Sequence, residues 1–255
     1  MRTERAEQAK PRYGLPDTVR GILILGMIAY HTLFDIVLVY GLSADTPLMR
    51  AADVVRDVGA ACFVFLSGFC FHLGSRNVRK GLILFAAGLI VTGATFLFAR
   101  ESAVIFGVLT FLGTAKLLLC ALDRPLRKIP PVVGAVGSFL LFLLFFRCNF
   151  GYAGFGGRAL FHWPAFLYRN YVTAFFGFPF AGFFSGDYFG LLPWFFICCC
   201  GYFFFLAAGK REAFPRVMAV RVCPLDRIGR YSLPVYLLHQ PVIYFAVLAA
   251  KNLFL

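Results

Sequence analysis

The sequence is poor in charge and poorer still in acid. Only 15% of its 255 residues are Asp, Glu, Lys or Arg, and the 12 acidic residues face 25 Lys and Arg. A soluble domain is nearer 25% charged, so a solvated globular enzyme is a poor fit. Apolar/polar alternation is also missing. The apolar runs are continuous over 17–20 residues, which argues against a membrane β-barrel. The eight cysteines include no Cys-x-x-Cys pair with a His partner, so no zinc site is suggested. Six of them fall in apolar runs, where a thiol reads as a small hydrophobe. No internal repeat is visible, and with it no sign of a transporter built from inverted halves. The first twenty residues are polar and basic, and the apolar run after them is too long for a signal h-region, so no cleavable signal peptide is expected.

What is present is apolar length. The chain is 60% hydrophobic with 33 Phe, too many for one soluble core. A membrane-crossing helix needs about 20 apolar residues. On that measure the sequence predicts an all-α, polytopic membrane bundle of about seven spans: 21–40, 58–74, 81–98, 103–122, 130–146, 189–208 and 231–250. Residues 1–19 read as a cytoplasmic, partly disordered polar tail, and 20–255 as a single transmembrane domain. Residues 41–57 read as a loop, with a short amphipathic helix from Pro47. The segment 147–188, rich in Gly and aromatics, reads as a folded outer cap with an interfacial or re-entrant helix near 164–178. Lys116 is placed within two turns of a span end, where its ammonium can snorkel. The net charge of +13 does not require nucleic acid, because the cations cluster between apolar runs. With the N-terminus inside, inner segments hold seventeen of the 25 Lys and Arg and outer segments seven. The positive-inside rule then sets the N-terminus in, the C-terminus out, and loops 75–80, 123–129 and 209–230 on the cytoplasmic side of a cell membrane.

Ionisable groups inside such spans are costly and mark sites. His31 and Asp35 lie in the first span, four residues apart and so on one helix face. Arg20 is eleven residues before His31, close to three turns, which puts it on the same face about 16 Å away. Taken alone, Arg20 reads either as a topology anchor or as a phosphate contact. Arg76, with Arg79 and Lys80 in the next cytoplasmic loop, fits a basic collar for an anionic ligand or retention by anionic lipid. His239 and Gln240 sit mid-depth in the last span, followed by Pro241. Asp187 precedes the sixth span, where it caps that helix or meets a substrate. Trp194 lines a pocket or joins an aromatic belt. His72 fits helix-end stabilisation or a phosphate contact, and His162 a structural role.

Arg and His with ten residues between them in a first span resemble the membrane-bound acyltransferase-3 proteins. RGILILGMIAYHTLFDI, FVFLSGFCFHLGSRNVRKG, IFGVLTFLG, SGDYFGLLPWF and IGRYSLPVYLLHQPV, in that order from Arg20 to Val242, resemble the bacterial heparan-α-glucosaminide N-acetyltransferase-like family. The resemblance implies a membrane acyltransferase. The donor would be acetyl-CoA or another acyl-CoA from the cytoplasm, the acceptor an amine or hydroxyl of an extracytoplasmic glycan or lipid-linked sugar, and no metal is implied. His31 would be base or nucleophile, with Asp35 orienting it and stabilising its protonated form. Arg20, Arg76, His239, Gln240, Asp187 and Trp194 would bind substrates. Family members commonly carry His where this chain has Thr110, which puts its activity or substrate in question. The rival reading is a non-enzymatic transporter or permease-like protein relaying protons through buried His and Asp.

Overall fold

The computed structural model describes residues 13–155 and 158–254. Most of the predicted polar tail lies outside them. Ten α-helices and one β-hairpin form the described chain: α1 Gly14–Tyr40, α2 Pro47–Phe69, α3 Asn77–Phe98, α4 Val108–Leu126, α5 Pro131–Phe145, β1 Tyr152–Phe155, β2 Arg158–His162, α6 Tyr171–Phe176, α7 Leu191–Ala208, α8 Phe214–Ala219, α9 Leu225–Arg230 and α10 Ser232–Phe254. Five helices are long and apolar enough to cross a membrane: α1, α3, α5 with the turn after it, α7 and α10. The two remaining predicted spans overlap α2 and α4, whose charged residues keep them off that set.

The chain divides into two compact units, Met1–Arg56 with Arg211–Leu255, and Asp57–Lys210. In the first, α1 is organised from both ends. It starts at Gly14, seven residues before the predicted span, with Pro16 and Asp17 in its first turn, where fixed φ and a carboxylate both favour a helix start. At the other end Gly41 adopts φ +64° and closes the helix, its N–H bonding Leu38 O and that of Leu42 bonding Val37 O. This is the reciprocal pattern a left-handed residue permits. Residues 209–230, predicted as a loop, contain α8 and α9. Here α9 crosses the start of α1 backbone to backbone. A Cβ on Gly21 would overlap Leu225 O, and one on Gly229 would overlap Asp17 O. Thr18 Oγ1 accepts from Val222 N at 3.2 Å in the same seam.

Helix α10 then runs alongside α1 in the same direction. His31 meets His239, Asp35 meets Gln240, and Lys251 Nζ donates to Val39 O at 2.6 Å. That ammonium serves one of the carbonyls every helix end leaves without an intrahelical partner.

In the second unit, α3 and α4 are antiparallel across small residues. Gly81 faces Leu117, Gly113 faces Phe85 and Gly88 faces Thr110, as expected where helix association depends on close backbone approach. Helices α5 and α7 are also antiparallel, Gly134 against Phe203 and Phe142 against Trp194. The predicted 58–74 span ends at Phe69, and the short helix expected from Pro47 runs into it without a break, so the two form one helix. The fourth helix starts and ends later than predicted. Lys116 therefore lies ten residues from its end at Leu126, near mid-helix, with its ammonium 5.8 Å from the Phe71 ring centre.

The segment 147–188 is folded, and its one α-helix lies within the 164–178 stretch where a helix is expected. It holds the hairpin, with Tyr152 opposite His162, and the six-residue α6, capped by Asn170. Tyr168 donates to Cys148 O and Tyr188 to Ala174 O, both at 2.5 Å.

Candidate functional site

The two histidines predicted at mid-depth meet. The His31 and His239 rings lie 5.0 Å apart, edge to face, on the parallel helices α1 and α10. His239 Nδ1 is 2.5 Å from Tyr236 O. A carbonyl only accepts, so Nδ1 carries the proton and Nε2 the lone pair. A neutral imidazole in that form is a base.

Asp35 makes no hydrogen bond to His31 among the described residues. Among the described residues its carboxylate takes its hydrogen bonds from Gln240 alone, whose Nε2 is 3.1 Å from both oxygens. Asp35 is only 1% exposed. A carboxylate so buried needs a donor, and here the donor comes from α10, one residue past His239. The pair therefore joins α1 to α10 at the level of the imidazoles. Gln240 Oε1, also buried, has no partner among the described residues. A groove of about 380 Å³ lies one turn further on, lined by Ile36, Tyr40, Ala246, Val247 and Ala250. Its lining is mostly apolar, with Tyr40 the one polar side chain.

Arg20 lies on α1 towards its N-terminal end, half-buried, with Nη1 3.0 Å from Asp17 Oδ1. The ion pair holds the guanidinium against the helix start. Sequence reasoning missed the polar groups on the other side of His31. Tyr30 donates to Asp53 at 2.8 Å, and Arg56 Nη1 donates to Tyr30 Oη at 2.6 Å and to Asp53 at 2.9 Å. The Tyr30 and His31 rings are 5.5 Å apart. The signal was the i, i+3 spacing of Asp53 and Arg56, which on a helix from Pro47 puts the two on one face.

The other predicted residues lie in the second unit. Arg76 is exposed at the N-terminal end of α3 with φ +55°, beside exposed Arg79 and Lys80. Asp187 does cap a helix, but it is α4 and not the following α7: Val108 N donates to its Oδ2 at 3.1 Å. Trp194 packs in an aromatic cluster, 4.8 Å from the Phe189 ring and 6.3 Å from Phe142. Thr110 is buried, its hydroxyl without a partner among the described residues. His72 accepts at Nδ1 from Arg127 at 3.3 Å. Asp123 accepts from Arg127 at 2.9 Å and from Tyr202 at 2.7 Å. Burial works against the Asp123 carboxylate, but these two hydrogen bonds and the guanidinium charge outweigh it and hold its pKa below the usual value. Among the described residues no group of three His, Cys, Asp or Glu is placed to hold a metal ion.

The family model described as heparan-alpha-glucosaminide N-acetyltransferase, catalytic, matches residues 12–241. The chain belongs to this family. No curated protein and no solved structure matches it. The match runs from just before α1 to Pro241, so it takes in Arg20, His31, Asp35, His239 and Gln240 together. With five helices apolar enough to cross a bilayer, the chain is a membrane protein of an acetyltransferase family.

Proposed function

We propose that the protein is a multi-pass acetyltransferase of the cell membrane. It takes an acyl group, in the first instance acetyl, from acyl-CoA on the cytoplasmic side and delivers it to an amine or hydroxyl of an extracytoplasmic glycan or lipid-linked sugar. The observation that carries the reading is the His31–His239 pair, two imidazoles 5.0 Å apart on two parallel apolar helices.

Parallel α1 and α10 also bear on topology. Two helices that cross a bilayer in the same direction have an odd number of crossings between them. The predicted spans that overlap α2, α3, α4, α5 and α7 supply five, for seven in all. In the second unit α3 opposes α4 and α5 opposes α7, as alternate crossings require. An odd count puts the termini on opposite sides of the membrane, and the cation distribution then favours N-terminus in and C-terminus out, with 20–255 read as one catalytic domain.

In the transfer step the acceptor amine or hydroxyl attacks the thioester carbonyl carbon. The C–S bond breaks, and CoA leaves as a thiolate that takes up a proton. The proton lost by the acceptor goes to an imidazole, either directly to His31 or through the Nε2 lone pair of His239. If His31 is instead the nucleophile, it carries the acyl group between the two half-reactions and His239 serves as the base. Asp35 acts through Gln240, holding His239 opposite His31. Arg20, tethered by Asp17 at the cytoplasmic end of α1, meets the donor's phosphates, for which its fork is suited. Arg76 adds positive charge on the same side of the membrane. No metal is required.

The test is transfer of labelled acetyl from acetyl-CoA to a panel of amino sugars by purified protein. His31→Gln keeps size and hydrogen bonding but loses the proton cycle, and should lower turnover by at least about 10²–10⁴ at unchanged donor binding. Turnover within a few-fold of wild type in His31→Gln at equal abundance would remove His31 from the chemistry. A wild-type protein that transports a solute and transfers nothing would favour a permease.

A further inference from the structure

The β1–β2 hairpin leaves its second strand uncovered. All five residues of β2 are exposed. Successive residues of a strand point to opposite faces, so Leu160 and Phe161, 76% and 43% exposed, present apolar surface on both. A two-stranded hairpin in that state is at best marginally stable in water. Among the described residues β2 pairs only with β1, so its other edge carries unpaired N–H and C=O groups. The rest of the 147–188 segment repeats the pattern. Phe166 is exposed. On α6 so are Val172 and Phe176, four residues apart and therefore on one face.

The hairpin sits at the level where two apolar helices meet. The ring of Trp163, the residue after β2, stacks on Phe145, the last residue of α5, at 4.8 Å. Phe145 in turn lies 5.5 Å from Phe196 of α7. Two requirements then fix the surroundings. The exposed Leu, Val and Phe side chains need apolar cover. The open edge of β2 cannot enter hydrocarbon, where every backbone polar group must have a partner. The headgroup layer of a bilayer meets both: acyl chains begin there, and water and phosphate oxygens reach the edge.

Charge selects the headgroup. No Asp or Glu occurs between Asp123 and Asp187, whereas the segment carries Arg147, Arg158 and Arg169. Among the described residues none of these three joins an ion pair. The Arg147 guanidinium lies 5.1 Å and 5.3 Å from the Phe146 and Phe150 ring centres, which leaves its charge without a counterion. A second copy of this face would set arginine against arginine. A phospholipid phosphate suits the guanidinium fork. We propose that the 147–188 segment docks on anionic phospholipid, with the hairpin and α6 lying in the headgroup layer at the end of α5 and Arg147, Arg158 and Arg169 on lipid phosphates. This requires a membrane protein and is independent of acetyl transfer.

The test uses the full chain in nanodiscs of phosphatidylcholine, alone or mixed with phosphatidylglycerol. A nitroxide attached through a keto amino acid at position 160 leaves the eight native cysteines untouched. In the phosphatidylglycerol discs the label should lie within about 5–10 Å of the phosphate plane, shielded from a water-soluble nickel chelate. The ratio of immersed to mobile label should fall at least about fivefold in phosphatidylcholine, the effect of about one cation near an anionic surface. Arg147→Gln/Arg158→Gln/Arg169→Gln should show that lower ratio in both lipids, and Phe166→Ser/Val172→Ser should lower it in both. The wild-type measurements need no variant to fold. A label fully open to the chelate in both lipids would overturn the docking. Equal immersion in both lipids would overturn the anionic ligand, as would a triple arginine variant that still tells the two lipids apart. Spin–spin broadening between labels that disappears on dilution with unlabelled protein would make the face a contact between copies, which also overturns it.

Discussion

Removing the amide of Gln240 should destabilise the protein far more than a half-exposed glutamine usually would. Gln240 Nε2 is 3.1 Å from each oxygen of Asp35, and Asp35 is 1% exposed. Gln240→Leu keeps comparable bulk on α10 but leaves the carboxylate buried without its donor. Breaking a buried charged pair by removing one partner costs about 3–5 kcal/mol, and the lower end applies here because the lost partner is a neutral amide. For a chain of this size about 3 kcal/mol corresponds to a fall of roughly 6–12 °C in Tm. The double variant Asp35→Leu/Gln240→Leu removes the stranded charge as well. Replacing both partners by apolar groups of similar shape is close to neutral, so the double variant should recover most of the loss. Asp35→Asn keeps an acceptor and should cost about 1 kcal/mol. The measurement is thermal unfolding in one detergent at a fixed scan rate, since membrane proteins often unfold irreversibly and the midpoint is then operational. Gln240→Leu within about 3 °C of wild type, or a double variant no better than that single one, would refute the reasoning. The double variant should also stay slow in transfer despite its recovered stability, because the pair sets the register of His239 against His31.

Arg20→Ala should raise the KM for acetyl-CoA with little change in the saturated rate, and Arg20→Lys should recover only part, as a point charge replaces a bidentate fork; equal donor KM in all three proteins would leave Arg20 a topology anchor. Gly21→Ala and Gly229→Ala should each cost at least about 2 kcal/mol, since their added Cβ overlaps a facing backbone carbonyl and overpacking at that level is costly; Gly26→Ala, where a Cβ meets nothing within 4 Å, is the control expected to stay within about 0.5 kcal/mol of wild type or above it. Because the Asp123 carboxylate is held below its usual pKa, its bonds to Arg127 and Tyr202 contribute fully above the unfolded carboxylate pKa of about 3.9 and are lost as pH falls through the lower folded value; melting curves from pH 6 to 2.5 should show that loss, and Tyr202→Phe should shrink it. Single cysteines in 209–230 of an otherwise unlabelled background should react with an impermeant maleimide only from the cytoplasmic side; labelling from outside would reverse the orientation.

The helices were legible wherever length and apolarity alone decide. The apolar runs behind α3, α5, α7 and α10 carry no signal that competes with a span, and their boundaries agree with the structure to within a few residues. The disagreements come from charge. Arg50, Asp53, Arg56 and Asp57 made 41–57 read as a loop with only a short helix from Pro47, whereas that helix continues unbroken to Phe69. Lys116 was read as near a helix end because a lysine in an apolar run is expected to snorkel, but α4 continues through Asp123 and Arg124 to Leu126. The 147–188 segment was legible as folded from its aromatics. Its hairpin was not, because Gly154 and the irregular register between Ala153 and Gly154 break the alternation that identifies a strand.

The site was legible on α1 and much less so between elements. Period 3.6 put Arg20, His31 and Asp35 on one face, since spacing along a single helix is written in the sequence. Partner choice is not. From sequence the obvious partner for Asp35 was His31, four residues away on the same helix. The structure gives it Gln240, 205 positions later, because α9 docks on Gly21 and sets α10 parallel to α1. Asp187 shows the same limit: its position before α7 suggested a cap for that helix, yet its carboxylate reaches the N-terminal end of α4, 79 residues earlier. In both cases a carboxylate, buried at Asp35 and half-buried at Asp187, takes the N–H donor that packing brings to it, and the packing is decided elsewhere, by glycines whose missing Cβ lets two backbones touch. Gly21 and Gly229 carry no chemistry and, though each lies in one of the family-like blocks, neither was singled out there, but they fix where α10 starts and therefore which side chain faces His31. A substitution at that seam should alter the spacing of His31 and His239 at a distance, through helix placement rather than through any contact with the imidazoles.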